Sequence, residues 1–358
     1  VKQLPAGPAV RGGLADRWLR RALAAPGWLL DRVEPAAEVP RGDALTPDDV
    51  VDRVRATARW PEAHLALEAG LHYHLHGDEV LAYQVRRGTA FAIGGLNTDD
   101  PTALLRSFVE RARERGVRRL LVFPVRSTER QSVHAAGFGS VQVGVEAWVD
   151  LPGWSPSGKA YAHVRQMCNR ARRRGVSVSA ADPSVDAEQM SAIHEHWLAS
   201  KEPSWRMKLL VGSPGLERPF DRRFLVARSE GRIEAFLTLL PGAAGQWGVD
   251  VMCRRPDAVA GSMEALLVHA IETLRDEGAA TLSLGPCPMA GVDQGEKLLE
   301  HVFRGLYGSS TGNRLFGFRS LHRFKDKFRP RWEPVFFAAA PRLGVFSLYA
   351  GCRMWGLY

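Results

Sequence analysis

Hydrophobic and polar positions along the chain switch between helical spacing and strict alternation, and the switches outline its elements. Thr-Pro-Asp-Asp from Thr46 supplies a capping hydroxyl and acidic first-turn residues for a helix reaching Arg59. His72–His76 and Glu79–Arg86 alternate around Gly77-Asp78, which predicts a hairpin, and Thr89–Ile93 reads as a third strand. Residues 101–115 have helical spacing and stop at Gly116; 119–125 read as a buried strand, 132–136 as a short helix and 141–149 as another strand. The pattern then recurs. Helices are predicted over 157–174 and 186–200, a hairpin over 224–229 and 233–240, a strand over 247–253, a helix over 262–277 and a strand over 281–284. Two successive units of helix, hairpin, strand, helix and strand predict an α/β protein with mixed sheets, built as two tandem lobes over 46–155 and 156–335.

Before the lobes lies a Pro-, Gly- and Arg-rich arm over 1–45, in which 15–25 suits one basic amphipathic helix. After them an apolar tail over 336–358, broken by Arg342 and Arg353, reads either as a last core helix or as an amphipathic helix lying in a membrane interface.

The 358 residues are 45% hydrophobic and 24% charged, an ordinary globular balance. The net charge of +9 points to an acidic partner, nucleic acid or anionic lipid. Cys168, Cys253, Cys287 and Cys352 form no CxxC pair, which argues against a disulfide framework or zinc site and suits a reducing compartment. With no signal-like run and no apolar stretch of about 18 residues, a soluble cytoplasmic protein is expected. His72, His74 and His76 share one strand face; a solvated face is the expectation and no metal is predicted. Neither a phosphate-binding loop nor a dinucleotide fingerprint is present. The nearest approach to a diphosphate loop, 172–177, closes a helix instead of opening one, so no cofactor is expected.

Two basic tracts stand out. Lys159, Arg165, Arg170, Arg172, Arg173 and Arg174 fall in a stretch without acids. Arg319, Arg323, Lys325, Lys327, Arg329 and Arg331 surround the single Asp326 and adjoin Phe318, Phe324, Phe328 and Trp332. Cations for phosphates and aromatic faces for unpaired bases are what a single-stranded RNA end requires; a solvated charged surface is the alternative.

Several blocks recur in a fixed order: Gly-Val-Glu-Ala-Trp-Val-Asp-Leu at 144–151, Ser157-Gly158-Lys159, Arg165-Gln166, Gly-Arg-Ile-Glu-Ala-Phe at 231–236, Asp250-Val251-Met252-Cys253, Ser-Leu-Gly-Pro-Cys-Pro at 283–288, and Phe-Lys-Asp-Lys-Phe-Arg-Pro-Arg-Trp-Glu-Pro at 324–334. In these the chain resembles, from about Thr89 to Ala340, the catalytic-domain family of lysylphosphatidylglycerol synthases, with a tandem GNAT-like fold. The resemblance implies an aminoacyltransferase that takes an aminoacyl group from aminoacyl-tRNA to an acceptor hydroxyl. Cys253 stands where the family has arginine, leaving Arg254 or Arg255 as replacements, and the family's multi-span membrane region is missing from this sequence. Both features turn the expectation toward a small hydroxyl or hydroxylamine acceptor, as in relatives of azoxy natural-product pathways, ahead of an anionic phospholipid reached by peripheral membrane contact. A tRNA-binding module without catalysis is the third reading.

An aminoacyl ester is already activated, so transfer needs positioning, a site for the proton and donors for the oxyanion. It also needs an anion to pair the donor's α-ammonium. Asp250 is the first choice for that anchor, with a salt bridge to Arg254 or Arg255 as its alternative role. Glu146 resembles a family glutamate beside the site, with a hairpin-edge charge as its alternative role; Glu264 and Gly285 are weaker substrate-side candidates. Lys325 and Lys327, placed on one side of an extended segment, would meet the terminal phosphates or polarise the ester carbonyl, or else lie in solvent. Arg165, Arg329 and Arg331 join them as phosphate candidates.

Overall fold

The computed structural model describes residues 45–200, 213–217, 219–292 and 318–354. Residues 1–44 of the arm, with the helix expected over 15–25, and the end of the tail at 355–358 lie outside them.

Thr46 caps α1 (Pro47–Thr57) as the sequence predicts: its Oγ1 accepts from Asp49 N at 3.2 Å, and the Asp49 carboxylate accepts from Thr46 N at 2.9 Å. A 3-10 turn, Pro61–Leu67, follows. Strands β1 (His72–His76), β2 (Glu79–Arg86) and β3 (Thr89–Ile93) pair antiparallel. Helix α2 (Pro101–Glu114) then crosses to β4 (Arg119–Arg126), parallel to β3. Next come α3 (Arg130–Ala135) and the long β5 (Gly139–Asp150).

The second half repeats the plan. Helix α4 (Ala162–Arg173), β6 (Ser177–Ala180) and α5 (Pro183–Ser200) precede the antiparallel β7 (Arg223–Ser229), β8 (Arg232–Pro241) and β9 (Gln246–Arg254). Helix α6 (Ser262–Asp276) crosses to β10 (Thr281–Pro288), parallel to β9. The described chain closes with α7 (Phe318–Asp326), β11 (Arg331–Ala340) and α8 (Val345–Met354).

The strands form one mixed sheet in the order β1-β2-β3-β4-β11-β5-β10-β9-β8-β7-β6. The mixed α/β architecture is as predicted, and the halves exchange their last strands. β11 sits between β4 and β5, while β5 pairs with β10. Both faces are covered. In the first half α1 and α8 pack on one side, through Val50, Val54, Ala350 and Met354, and α2 and α3 on the other, through Leu104, Phe108 and Val133. In the second half α4 and α6 cover one face and α5 the other, through Met190 and Ile193.

Two expectations are corrected. The apolar tail begins as a strand: 335–340 are buried in the middle of the sheet, where small alanines let flanking layers close on both faces. Only from 345 does it become a helix, with Tyr349, Ala350 and Met354 buried and Phe346 exposed. The histidine face is not solvated either. His74 is 5% exposed, its ring 5.4 Å from Phe108 and its Nε2 2.9 Å from Ser107 Oγ, because α2 packs on that face. No helix among the described residues is long and apolar enough to cross a membrane.

Phe337 of β11 is fully buried and packs against Phe91 of β3. Phe337→Ala is expected to cost about 3–5 kcal/mol, read as a lowered urea midpoint with unchanged slope.

Candidate active site

β9 and β10 stay hydrogen-bonded only as far as Gly248 and Ser283. There β10 bulges, so that Leu284 and Gly285 together oppose Ala147 of β5; Gly285 takes φ +84°, a conformation that favours glycine. β9 bulges at the same level. Asp250 and Val251 oppose the single Thr238 of β8, whose Oγ1 accepts from Val251 N at 3.0 Å. Two bulges where a parallel pair parts make a crevice of the kind open sheets use for ligands.

Four of the predicted residues meet around it. The Asp250 side chain is buried and accepts from Arg222 Nε at 3.2 Å and from the Thr238 hydroxyl. Burial pushes its carboxyl up to about 6, with Glu68 adding to the rise and Arg222 and Thr238 opposing it. Glu146, also buried, accepts from Ser283 Oγ at 2.5 Å and faces Arg126 at 3.2 Å; Gly285 N–H in turn donates to Ser283 Oγ at 2.9 Å. Burial raises its pKa against the pull of Arg126. Lys325 Nζ donates to the carbonyls of Gly285 and Pro286 at 2.9 and 3.0 Å, and burial lowers its pKa.

Other predicted residues lie elsewhere or are already engaged. Arg254 is exposed at the end of β9 and Arg255 bonds Asp257 at 3.2 Å; Arg222, from another part of the chain, is the arginine beside Asp250. Lys325 and Lys327 do not share an extended segment, because α7 runs through Lys325 and ends at Asp326. Lys327 pairs with Glu264 at 2.9 Å, so each neutralises the other. Arg165 is spent on the carbonyls of Pro156 and Gly158, both at 2.6 Å, and Arg331 on Asp150 and Glu333. Three aromatics of the second tract are packed: Phe328 is fully buried, Phe324 meets it edge-on, and Trp332 stacks on His322 at 4.3 Å. Lys159, Arg170, Arg172, Arg173, Arg174 and Arg329 remain exposed.

The cations and counter-carboxylates that hold the site escaped the sequence reading. Arg126 closes the apolar run of β4, and its buried guanidinium lies between Glu62 at 2.5 Å and Glu146, with the Trp60 ring 3.9 Å away. Burial works against its charge, but Glu146, Glu62 and Glu129 more than offset this and raise its pKa. Arg222 has the same arrangement between Asp250 and Glu68. Ser283 lay within a recognised block, but nothing in that block marked its hydroxyl as the link between Glu146 and Gly285.

The profile of the family described as "Phosphatidylglycerol lysyltransferase, C-terminal" matches residues 53–339. The chain belongs to this family. It is 26% identical over 246 residues to the phosphatidylglycerol lysyltransferase of Bacillus subtilis, covering 66% of this chain and 28% of that protein. With the enzyme of the same name from Staphylococcus xylosus it shares 25% over 278 residues, 72% of this chain and 31% of that one. The chain thus spans less than a third of the relatives it matches. Among solved structures, L-PGS from Bacillus licheniformis superposes with a TM-score of 0.73 at 20% identity, covering 89% of this chain and 98% of that one. A lysylphosphatidylglycerol synthetase C-terminal domain from Agrobacterium fabrum gives 0.71 at 23%, covering 86% and 95%. FemX gives 0.53 at 11%, covering 87% and 98%. These likenesses show the fold. The family resemblance read from the motifs holds, and it extends back from Thr89 to Arg53.

Only one half carries carboxylates at the matching strand positions. Matching the last register positions of the two parallel pairs, Ala92/Val122 and Gly248/Ser283, puts Gly94 in the place of Asp250 and Pro124 in that of Gly285. The flanking strands put Phe336 in the place of Glu146. The first half has glycine, proline and phenylalanine where the second has aspartate, glycine and glutamate.

A raised Asp250 has a signed consequence for stability. A folded pKa above the unfolded value stabilises the fold fully below about pH 4, and this contribution is lost as pH rises through about 6. Asp250→Asn removes the dependence. Relative to wild type it is expected to gain up to about 3 kcal/mol between pH 4 and 7, measured by urea unfolding.

Proposed function

We propose that the chain is the catalytic part of an aminoacyltransferase that moves an aminoacyl group from aminoacyl-tRNA to a hydroxyl of phosphatidylglycerol or a similar polar lipid. The observation that carries this reading is the pair of buried carboxylates, Asp250 and Glu146, with Lys325 among them where β9 and β10 part. Asp250 and Glu68 share one guanidinium, so formally one negative charge is left over for the donor's α-ammonium. Lys325 uses two ammonium protons on carbonyls and keeps a third for the ester oxygen, where negative charge develops. The acceptor oxygen attacks the ester carbonyl carbon. A new C–O bond forms, the bond to the tRNA ribose oxygen breaks, and the acceptor's proton ends on that oxygen. Glu146, raised by burial, is placed to relay it.

The relatives' names favour the lipid over the small hydroxylamine expected from the sequence. One ground for that expectation also weakens, since Arg222 supplies a guanidinium beside Asp250 although Cys253 does not. An acyl-CoA donor finds little support: at the N-terminus of α6 a Cβ on Gly261 would lie 2.1 Å from Met167 O, and Glu264 occupies the first turn.

Arg170, Arg173 and Arg174 follow helical spacing along one exposed face, and among the described residues none has an acidic partner. They are the surface for the tRNA backbone. Reversing all three to glutamate is expected to raise KM for aminoacyl-tRNA at least about tenfold and flatten its salt dependence, with kcat within about twofold.

The deciding experiment offers labelled aminoacyl-tRNAs with phosphatidylglycerol vesicles or with hydroxylamine. Label in the lipid supports the proposal, label in the hydroxylamine alone restores the small acceptor, and no acceptor-dependent loss from any tRNA overturns the transferase reading. Asp250→Asn and Lys325→Met are each expected to reduce transfer by about 100-fold or more.

A further inference from the structure

Between α1 and β1 the chain crosses the sheet as a strap, from Trp60 through the 3-10 turn to Glu68. Asn97 holds its entry: Oδ1 accepts from Arg59 N at 3.0 Å and Trp60 N at 3.2 Å, while Nδ2 donates to Gly94 O at 2.8 Å. Three glycines lie beneath it. A Cβ on Gly248 would stand 2.6 Å from Pro61 Cβ, one on Gly242 2.9 Å from Pro61 Cδ, and one on Gly94 2.9 Å from Glu62 O. The strap therefore touches the chain at both parallel pairs, with no room for a side chain below.

Its two carboxylates reach the two buried arginines of the site. Glu62 meets Arg126 at 2.5 Å, and Arg126 meets Glu146 at 3.2 Å. Glu68 meets Arg222 at 3.7 Å, and Arg222 meets Asp250 at 3.2 Å. Trp60 lies against the Arg126 guanidinium and donates from Nε1 to Glu129 at 3.2 Å. The same motif of strap carboxylate, arginine and site carboxylate is thus made twice from one short segment.

We propose that the strap is a positioning element of the active site, in which Glu62 and Glu68 divide the guanidiniums of Arg126 and Arg222 and so keep Glu146 and Asp250 oriented toward the substrate and only partly neutralised by their arginines. The proposal rests on the reading of those two carboxylates as the working groups. An arginine facing a single carboxylate would neutralise it and leave nothing for an incoming ammonium; a second carboxylate takes part of the hold. The groups facing Asp250 are Arg222, Glu68 and Thr238, with the buried His64 behind Arg222. Those facing Glu146 are Arg126, Glu62, Ser283 and Lys325, with Glu129 behind Arg126.

Glu68→Gln and Glu62→Gln test the charge, and Gly248→Ala tests the seat, since it displaces Pro61 without altering any ionisable group. Each is expected to lower kcat about tenfold with KM for aminoacyl-tRNA unchanged, and Glu68→Asp to recover most of the loss. In Glu68→Gln the acid limb of the pH profile should move down by about half a unit or more, because burial still raises Asp250 but the added push of the Glu68 charge is gone. The same shift is expected, with no substrate present, in the pH at which the Asp250-dependent part of the unfolding free energy is lost. A shift in stability with no transfer by wild type keeps the strap and sinks the activity reading. An unmoved midpoint in Glu68→Gln, or equal loss at every pH, overturns the strap proposal whether or not the enzyme transfers.

Discussion

A guanidinium withdrawn from water costs several kcal/mol unless its charge is met in place. Arg126 and Arg222, with side chains 6% and 2% exposed, each meet two carboxylates, and much of the local architecture serves those encounters. Glu62 and Glu68 arrive on the strap, Glu146 on β5 and Asp250 on β9, so three chain segments are fixed by two buried cations. The bulges at Asp250 and Gly285 depart from regular pairing at the level where these charges converge. Replacing either arginine by a neutral group would strand two acids at once, which makes the arrangement intolerant of single changes.

The two halves divide the labour unevenly. Both parallel pairs part in the same way, but only the second has acids at the matching strand positions. The first contributes Arg126, the strap and β5, which carries Glu146. The site is composite because the strands are exchanged: without β5 beside β10, Glu146 would not reach Ser283.

Much of this was readable before the fold was known. Alternation and helical spacing found most elements because each buries one clear face, and the blocks containing Glu146, Asp250, Gly285 and Lys325 marked residues that converge. β11 escaped because Pro330, Pro334 and the preceding charges look like a loop, and Val-Phe-Phe-Ala-Ala-Ala shows no alternation when both faces are buried. Arg126 and Arg222 escaped for another reason. An arginine bears no local mark of whether its charge will meet solvent or a buried carboxylate, and here the partners lie up to 64 and 154 positions away. The basic tract around α7 misled in the opposite sense, since Lys325, Lys327 and Phe328 turn inward.

The exchange of last strands also orders the assembly of the molecule. β4 can pair on its open side only with β11, which follows roughly 200 residues later, as in the Arg126–Val335 contact. During synthesis the first half therefore holds an unpaired edge and an unseated β5, the condition that invites wrong pairing. It also lacks Asp250, Arg222 and Lys325, which come later in the chain. The edge is covered, and the composite cluster around Asp250 and Glu146 completed, only when the sheet is closed from both ends.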